Sequence, residues 1–140
     1  MGSYLNPGNA LFKMAVNSQI FVDKSMLIDV TNRYLNTMQR FICVSRPRRF
    51  GKSVAADMLA AYYDRSVDSF ALFEHLEISS QKSYGIHLNQ YDVIKLNMQE
   101  FLSGTKNVDE MLERIQKFLI FDLLDAYHQV RFRDEKSLIQ

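Results

Sequence analysis

From Val54 onward the apolar residues recur at helical spacing: Val54, Met58, Ala61 and Tyr62 share one face, with Ala55 and Leu59 beside them. That spacing predicts an amphipathic helix. A longer helical period runs from Val108 to about Val130 through Met111, Leu112, Ile115, Leu119 and Asp122, flanked by Phe118, Leu123 and Ala126, with no breaker inside it. Other stretches read as extended. Phe41 to Ser45 is a short β-prone run, Asp92 to Asn97 is a second, and Ile20 to Val22 and Ile78 are weaker candidates. Between these, Asn6-Pro7-Gly8-Asn9 signals a turn, and Ser25 or Asp23 is placed to cap a helix carrying Leu27, Val30, Tyr34 and Leu35. Ser66 to Ser69 breaks the pattern, Phe70, Leu72, Phe73 and Leu76 predict a short helix, and Ser79 to Gln90 reads as a polar connection.

The candidate chemistry lies where the first strand runs into the first of these helices. Phe41-Ile42-Cys43-Val44-Ser45 is followed by Arg46-Pro47-Arg48-Arg49-Phe50-Gly51-Lys52-Ser53 and then the helix from Val54. Strand, loop and helix in this order form the layout of a phosphate-binding loop, because a helix start leaves backbone N–H groups unpaired and carries the positive end of the dipole. Gly51 lets the backbone turn close to an anion. Lys52 is the catalytic candidate, a point charge for the β and γ phosphates, and the Ser53 hydroxyl is the candidate magnesium ligand. Arg46, Pro47, Arg48, Arg49, Phe50, Gly51, Lys52, Ser53 and Val54 make up the candidate nucleotide-binding set. The pattern G-x-x-x-x-G-K-[ST] asks for glycine where this chain has Arg46. Two readings of the arginines stand side by side: at least one faces the triphosphate, or Arg48 or Arg49 is a solvated surface charge. The corresponding alternative for the whole segment is a basic surface turn capped by Ser53.

The sequence around this loop resembles the bacterial AAA-ATPase-like domain family of the P-loop NTPase superfamily. The resemblance covers Tyr4 to Asn9, Ile20-Phe21-Val22-Asp23-Lys24-Ser25, the block Ser45 to Ser53, and His87 to Ile94. In that family S-R-P-R-R-F-G-K-S is the usual form of the loop, so Arg46 does not count against nucleotide binding. The resemblance implies an α/β fold, the N-terminal part of a P-loop sandwich in which helices flank a parallel sheet. It also implies ATP and Mg2+ as cofactors, and a position near the nucleotide base for Phe21-Val22-Asp23-Lys24. The alternative for that segment is that Phe21 and Val22 are core residues and Asp23 a helix cap. Members often carry a downstream nuclease-like domain of the PD-(D/E)XK type, through which nucleic acid becomes an expected partner. The family's acidic Walker B strand has no good counterpart here, so residues 1–140 read as the N-terminal portion of one such domain. Phe118-Leu119-Ile120-Phe121-Asp122 imitates that strand locally, but its periodicity is helical.

Composition narrows the remaining choices. The chain has 140 residues, 47% of them hydrophobic, enough for a core within one domain. Seventeen basic residues against sixteen acidic leave a net charge of +1, so no overall field draws it to nucleic acid or membrane. The basic character is local, at Arg46, Arg48 and Arg49. A short sheet leaves unpaired edges, which predicts self-association. Cys43 stands alone and is expected to be a small buried thiol with no metal role, which fits a reducing cytoplasm. No run approaches the roughly 20 apolar residues of a membrane span. His75, His87 and His128 lack metal-ligand spacing. Asn97 or Gln99 is a candidate contact for nucleotide-bound water, against the simpler reading of a capping residue in a turn.

These observations lead to an ATP-binding P-loop domain, part of a magnesium-dependent ATPase that drives or regulates another module, with little hydrolysis expected of this chain alone. Two alternatives stay open. One is a non-catalytic phosphate or nucleic-acid binding module using the arginines, and the other is an interaction scaffold with a vestigial loop.

Overall fold

The computed structural model describes residues 4–132 and 138. It divides the chain into two units, Gly8–Val93 and Met1–Pro7 with Ile94–Gln140. The first is organised on the helix that the Val54 periodicity predicts. That helix, α3, spans Lys52–Tyr63. It is preceded by α1 (Ala10–Val16) and α2 (Met26–Tyr34), and followed by the short helices α4 (Phe70–Phe73) and α5 (Tyr84–His87) with a 3₁₀ turn at Glu77–Ser80 between them.

Aromatic side chains hold this unit together. Phe12 of α1 stacks on Phe73 of α4 with ring centroids 5.0 Å apart, and Tyr62 of α3 meets Phe73 edge-on at 5.4 Å. Ile28, Met58, Ala61, Ile78 and Tyr84 complete the buried cluster. Each fully buried large side chain contributes about 1.5–3 kcal/mol over an exposed one. A polar chain crosses the same interior: Tyr63 donates to Asn32 Oδ1 (2.7 Å), Asn32 Nδ2 donates to Tyr62 Oη (3.2 Å), and Tyr62 donates to the Tyr84 carbonyl (2.7 Å). Burial pushes the Tyr63 phenol up to about 12, against the hydrogen bond with Thr31. This network explains why α2 buries Thr31 and Asn32 while Val30 and Tyr34 stay exposed. The apolar pattern of Leu27, Val30, Tyr34 and Leu35 points to a different face.

In the second unit, α6 (Met98–Leu102) and α7 (Val108–Ala126) bury Phe101, Met111, Ile115 and Leu119 together. Asp122 lies inside α7 and accepts the backbone N–H groups of Tyr4 (2.7 Å) and Leu5 (3.2 Å). It is therefore a helical residue that ties down an N-terminal segment. Asn97 caps α6, its side chain accepting the Gln99 N–H at 3.2 Å.

The expected α/β sandwich is not observed. Among the described residues there is no strand and no sheet; the only β pairings are isolated bridges, antiparallel between Leu5 and Ile94 and parallel between Asp64 and Tyr91. A strand is defined by its neighbour, and Phe41–Ser45 has no extended segment alongside it among the described residues. All five of its residues are exposed. The same cause overturns the expectation for Cys43, which is exposed and not buried. Ile78 falls in the 3₁₀ turn, and Ile20–Val22 is irregular. Among the described residues no helix is long and apolar enough to cross a membrane.

Candidate functional site

Helix α3 begins on Gly51, whose backbone is left-handed (φ 76°, ψ 26°) and whose missing side chain leaves that end without a side-chain cap. Its first helical bond runs from the Ala55 N–H to the Gly51 carbonyl (2.9 Å). The N–H groups of Lys52, Ser53 and Val54 therefore belong to an open helix start, where the dipole is positive. Ser53 is the second residue of α3 and does not cap it. Arg49, two residues earlier, is also left-handed (φ 66°). A non-glycine residue held there costs of order 1 kcal/mol or more.

Arg46, Pro47, Arg48, Arg49 and Phe50 are all exposed, as are Lys52, Ser53 and Val54, and Gly51 is half-buried. Among the described residues no ion pair involves Arg46, Arg48 or Arg49. Lys52 folds back across the mouth of the loop. Its Nζ donates to the carbonyls of Arg46 and Pro47, the latter at 3.1 Å. Carbonyl dipoles thus hold the ammonium over the loop, within reach of the same helix start.

A second lysine comes from outside the loop. Lys24 donates from Nζ to the Phe50 carbonyl at 2.7 Å. Its neighbours are fixed by the fold: Asp23 accepts the Ser25 N–H (2.7 Å) and the Glu77 N–H (2.8 Å), and Ser25 Oγ accepts the Ile78 N–H (3.1 Å). Burial on its own raises the Asp23 carboxyl, but the hydrogen bonds from Glu77 and Ser25 outweigh it and hold the group below the usual carboxylate value.

Beside the loop opens a cavity of ≈ 370 Å³. Phe12, Ala15, Ile20, Phe21 and Val22 line it together with Phe50, Val54, Ala55 and Met58, and Lys24 and Arg49 stand with them. The size lies in the range of small-molecule sites, which are mostly apolar with a few polar groups. Phe21 packs edge-on against Phe12 at 6.0 Å while Val22 remains exposed, so the segment is partly core and partly cavity wall. Asp23 holds the turn before α2 and does not supply an end-on cap to that helix. Helix α1 is absent from the expectations above, although Phe12, Ala15 and Val16 carry a helical spacing that signals it. Asn97 lies in the second unit, where its side chain is used as a cap.

The family model described as a predicted AAA-ATPase matches residues 10–138. The chain belongs to the AAA-ATPase-like family. That membership supports an ATPase-like, nucleotide-using role in coarse terms. Comparison with curated proteins and with solved structures finds no match. Membership of the AAA-ATPase-like family gives the loop and its cavity a chemical context that their geometry on its own leaves general.

Proposed function

We propose that this AAA-ATPase-like chain binds magnesium-ATP, with the phosphates on the loop Arg46–Val54 and the base in the cavity lined by Phe12, Phe21, Phe50 and Met58. The observation that carries the reading is the adjacency of an apolar cavity to an uncapped, cation-flanked helix start on one face of α3. A flat aromatic base, whose faces stack on apolar side chains, and a polyphosphate are the two ends of one ligand, and the site offers both environments side by side. The cleft also suits the residues' chemistry: Gly51 gives close backbone approach, and Lys52 exchanges the carbonyls of Arg46 and Pro47 for phosphate oxygens. Among the described residues no group of three His, Cys, Asp or Glu side chains is placed to hold a metal by itself. Magnesium would therefore arrive with the nucleotide, and the Ser53 hydroxyl is the residue to meet it. Its chemistry is charge neutralisation on the phosphates.

The test is calorimetric titration of the chain with magnesium-ATP and magnesium-GTP, repeated on Lys52→Ala. Loss of a charge-assisted contact is expected to weaken ATP about 10–100-fold. Because Lys52 is exposed, its melting temperature should not move. Equal ATP affinity in the two proteins would sink the reading. A second reading draws on the three exposed arginines without ion partners among the described residues: a phosphate-backbone binder. It predicts DNA binding that falls steeply with salt and is indifferent to added ATP.

A further inference from the structure

The geometry points to Lys24 as a positioning residue for the loop: by holding the Phe50 carbonyl it sets the direction of the Gly51 N–H at the helix start. The inference rests on the reading that this loop holds a nucleotide, and it concerns a residue outside the loop. Phe50 and Gly51 share one trans peptide plane, in which C=O and N–H point in opposite directions. A lysine bound to that carbonyl at 2.7 Å therefore fixes where the neighbouring N–H points.

The plane needs such a hold. It lies within Arg49-Phe50-Gly51, where Arg49 and Gly51 are both left-handed, and Arg46 to Phe50 are all exposed. No helix or strand bond fixes the Phe50 carbonyl. The lysine itself is well anchored. Asp23 and Ser25, on either side of it, bind the backbone of Glu77 and Ile78, so the loop is referred to the packed interior through a short rigid segment. The lysine also lies close against this turn: a Cβ at position 51, besides being strained by the left-handed φ, would stand 3.1 Å from Lys24 Nζ, which would have to give by a few tenths of an ångström. Lys24 also lines both the apolar cavity and the cleft around Arg46 and Lys52, so it stands at the junction of the two environments.

Lys24→Met keeps the side-chain stem and removes the donor, while Lys24→Arg keeps a donor. Two readouts separate positioning from mere structure. The first is affinity for magnesium-ATP and magnesium-ADP. A misdirected loop amide weakens both to the same extent, about tenfold for one charge-assisted bond, and Lys24→Arg restores most of it. The second is the rate of trypsin cleavage after Arg48 and Arg49, followed by mass spectrometry, which should rise in Lys24→Met at unchanged melting temperature. Wild-type ATP affinity and wild-type cleavage in Lys24→Met would overturn the proposal and leave the nucleotide reading intact. Loss of ATP affinity without loss of ADP affinity would also overturn it, since Lys24 would then touch the terminal phosphate and not set the loop. If the wild-type chain binds neither nucleotide, the nucleotide reading fails. The cleavage comparison still decides: faster cutting supports Lys24 as the residue that orders the loop, and equal cutting overturns it.

Discussion

The two ends of α3 are built on opposite plans. At the C-terminal end every late carbonyl has a partner: Asn89 Nδ2 reaches the carbonyls of Ala61 (3.2 Å) and Asp64 (2.6 Å), the Asn89 N–H reaches Tyr62 (2.7 Å), and the Tyr91 N–H reaches Tyr63 (2.9 Å). Asp64, fully buried, adds bonds from the N–H groups of Gly8 (2.6 Å) and Ser66 (2.8 Å). At the N-terminal end no side chain caps the helix, and Lys52, Ser53 and Val54 are exposed. A folded domain ordinarily satisfies both ends of a helix or leaves them to water. Sealing one end and leaving the other open and flanked by lysines makes the helix a fixed support for a variable contact. Function is expected at the open end and stability at the sealed one.

Mutations at the sealed end should then unfold the chain, and mutations at the open end should change only binding. The largest effect is expected from Tyr62→Ala. It empties the centre of the aromatic cluster and breaks the chain from Asn32 to Tyr84, for a loss of about 4 kcal/mol in urea unfolding. Asn89→Ala comes next. It strands two carbonyls and the Ser69 N–H that Asn89 Oδ1 accepts at 2.9 Å, and it puts alanine at a φ of 55°. A loss of about 2–3 kcal/mol follows, seen as a lower urea midpoint. If Asn89→Ala left the midpoint in place but weakened ATP, the division of α3 into a stable end and a binding end would be wrong.

How much of this was legible in the sequence differs along the same helix. Gly51, Lys52 and Ser53 announce the open end, because loop chemistry is written in consecutive residues. The helical period from Val108 likewise separates Asp122 from a strand. The sealed end is different: Asn89 sits in a stretch that reads only as a polar connection, and nothing local shows that its amide reaches back 25 residues to Asp64. The same limit hides Lys24 from Phe50. The parallel sheet was expected from the resemblance and from two β-prone runs, but a strand requires a neighbour that composition cannot supply. Helix α1 was legible in principle, at Phe12, Ala15 and Val16. It is short, seven residues, and it starts directly on the turn signal Asn6-Pro7-Gly8-Asn9.

The smallest effect joins the two plans, at Asp23, whose carboxylate ties the Lys24 segment to the 3₁₀ turn. Asn at this position keeps one acceptor and sets an NH₂ group against one of the two backbone donors, a loss of about 1 kcal/mol at neutral pH. The carboxyl's folded value lies below its ordinary 3.8. A depressed value means that the ionised form stabilises the fold above the unfolded value and that this contribution is lost as pH falls through the folded one. The stability gap between wild type and Asp23→Asn should accordingly be flat from neutrality to about pH 4 and shrink below it. Urea unfolding of both proteins across that range measures the gap. A gap that persists undiminished in acid would show that Asp23 acts by shape alone, and that the charge on this segment plays no part in holding Lys24 over the loop.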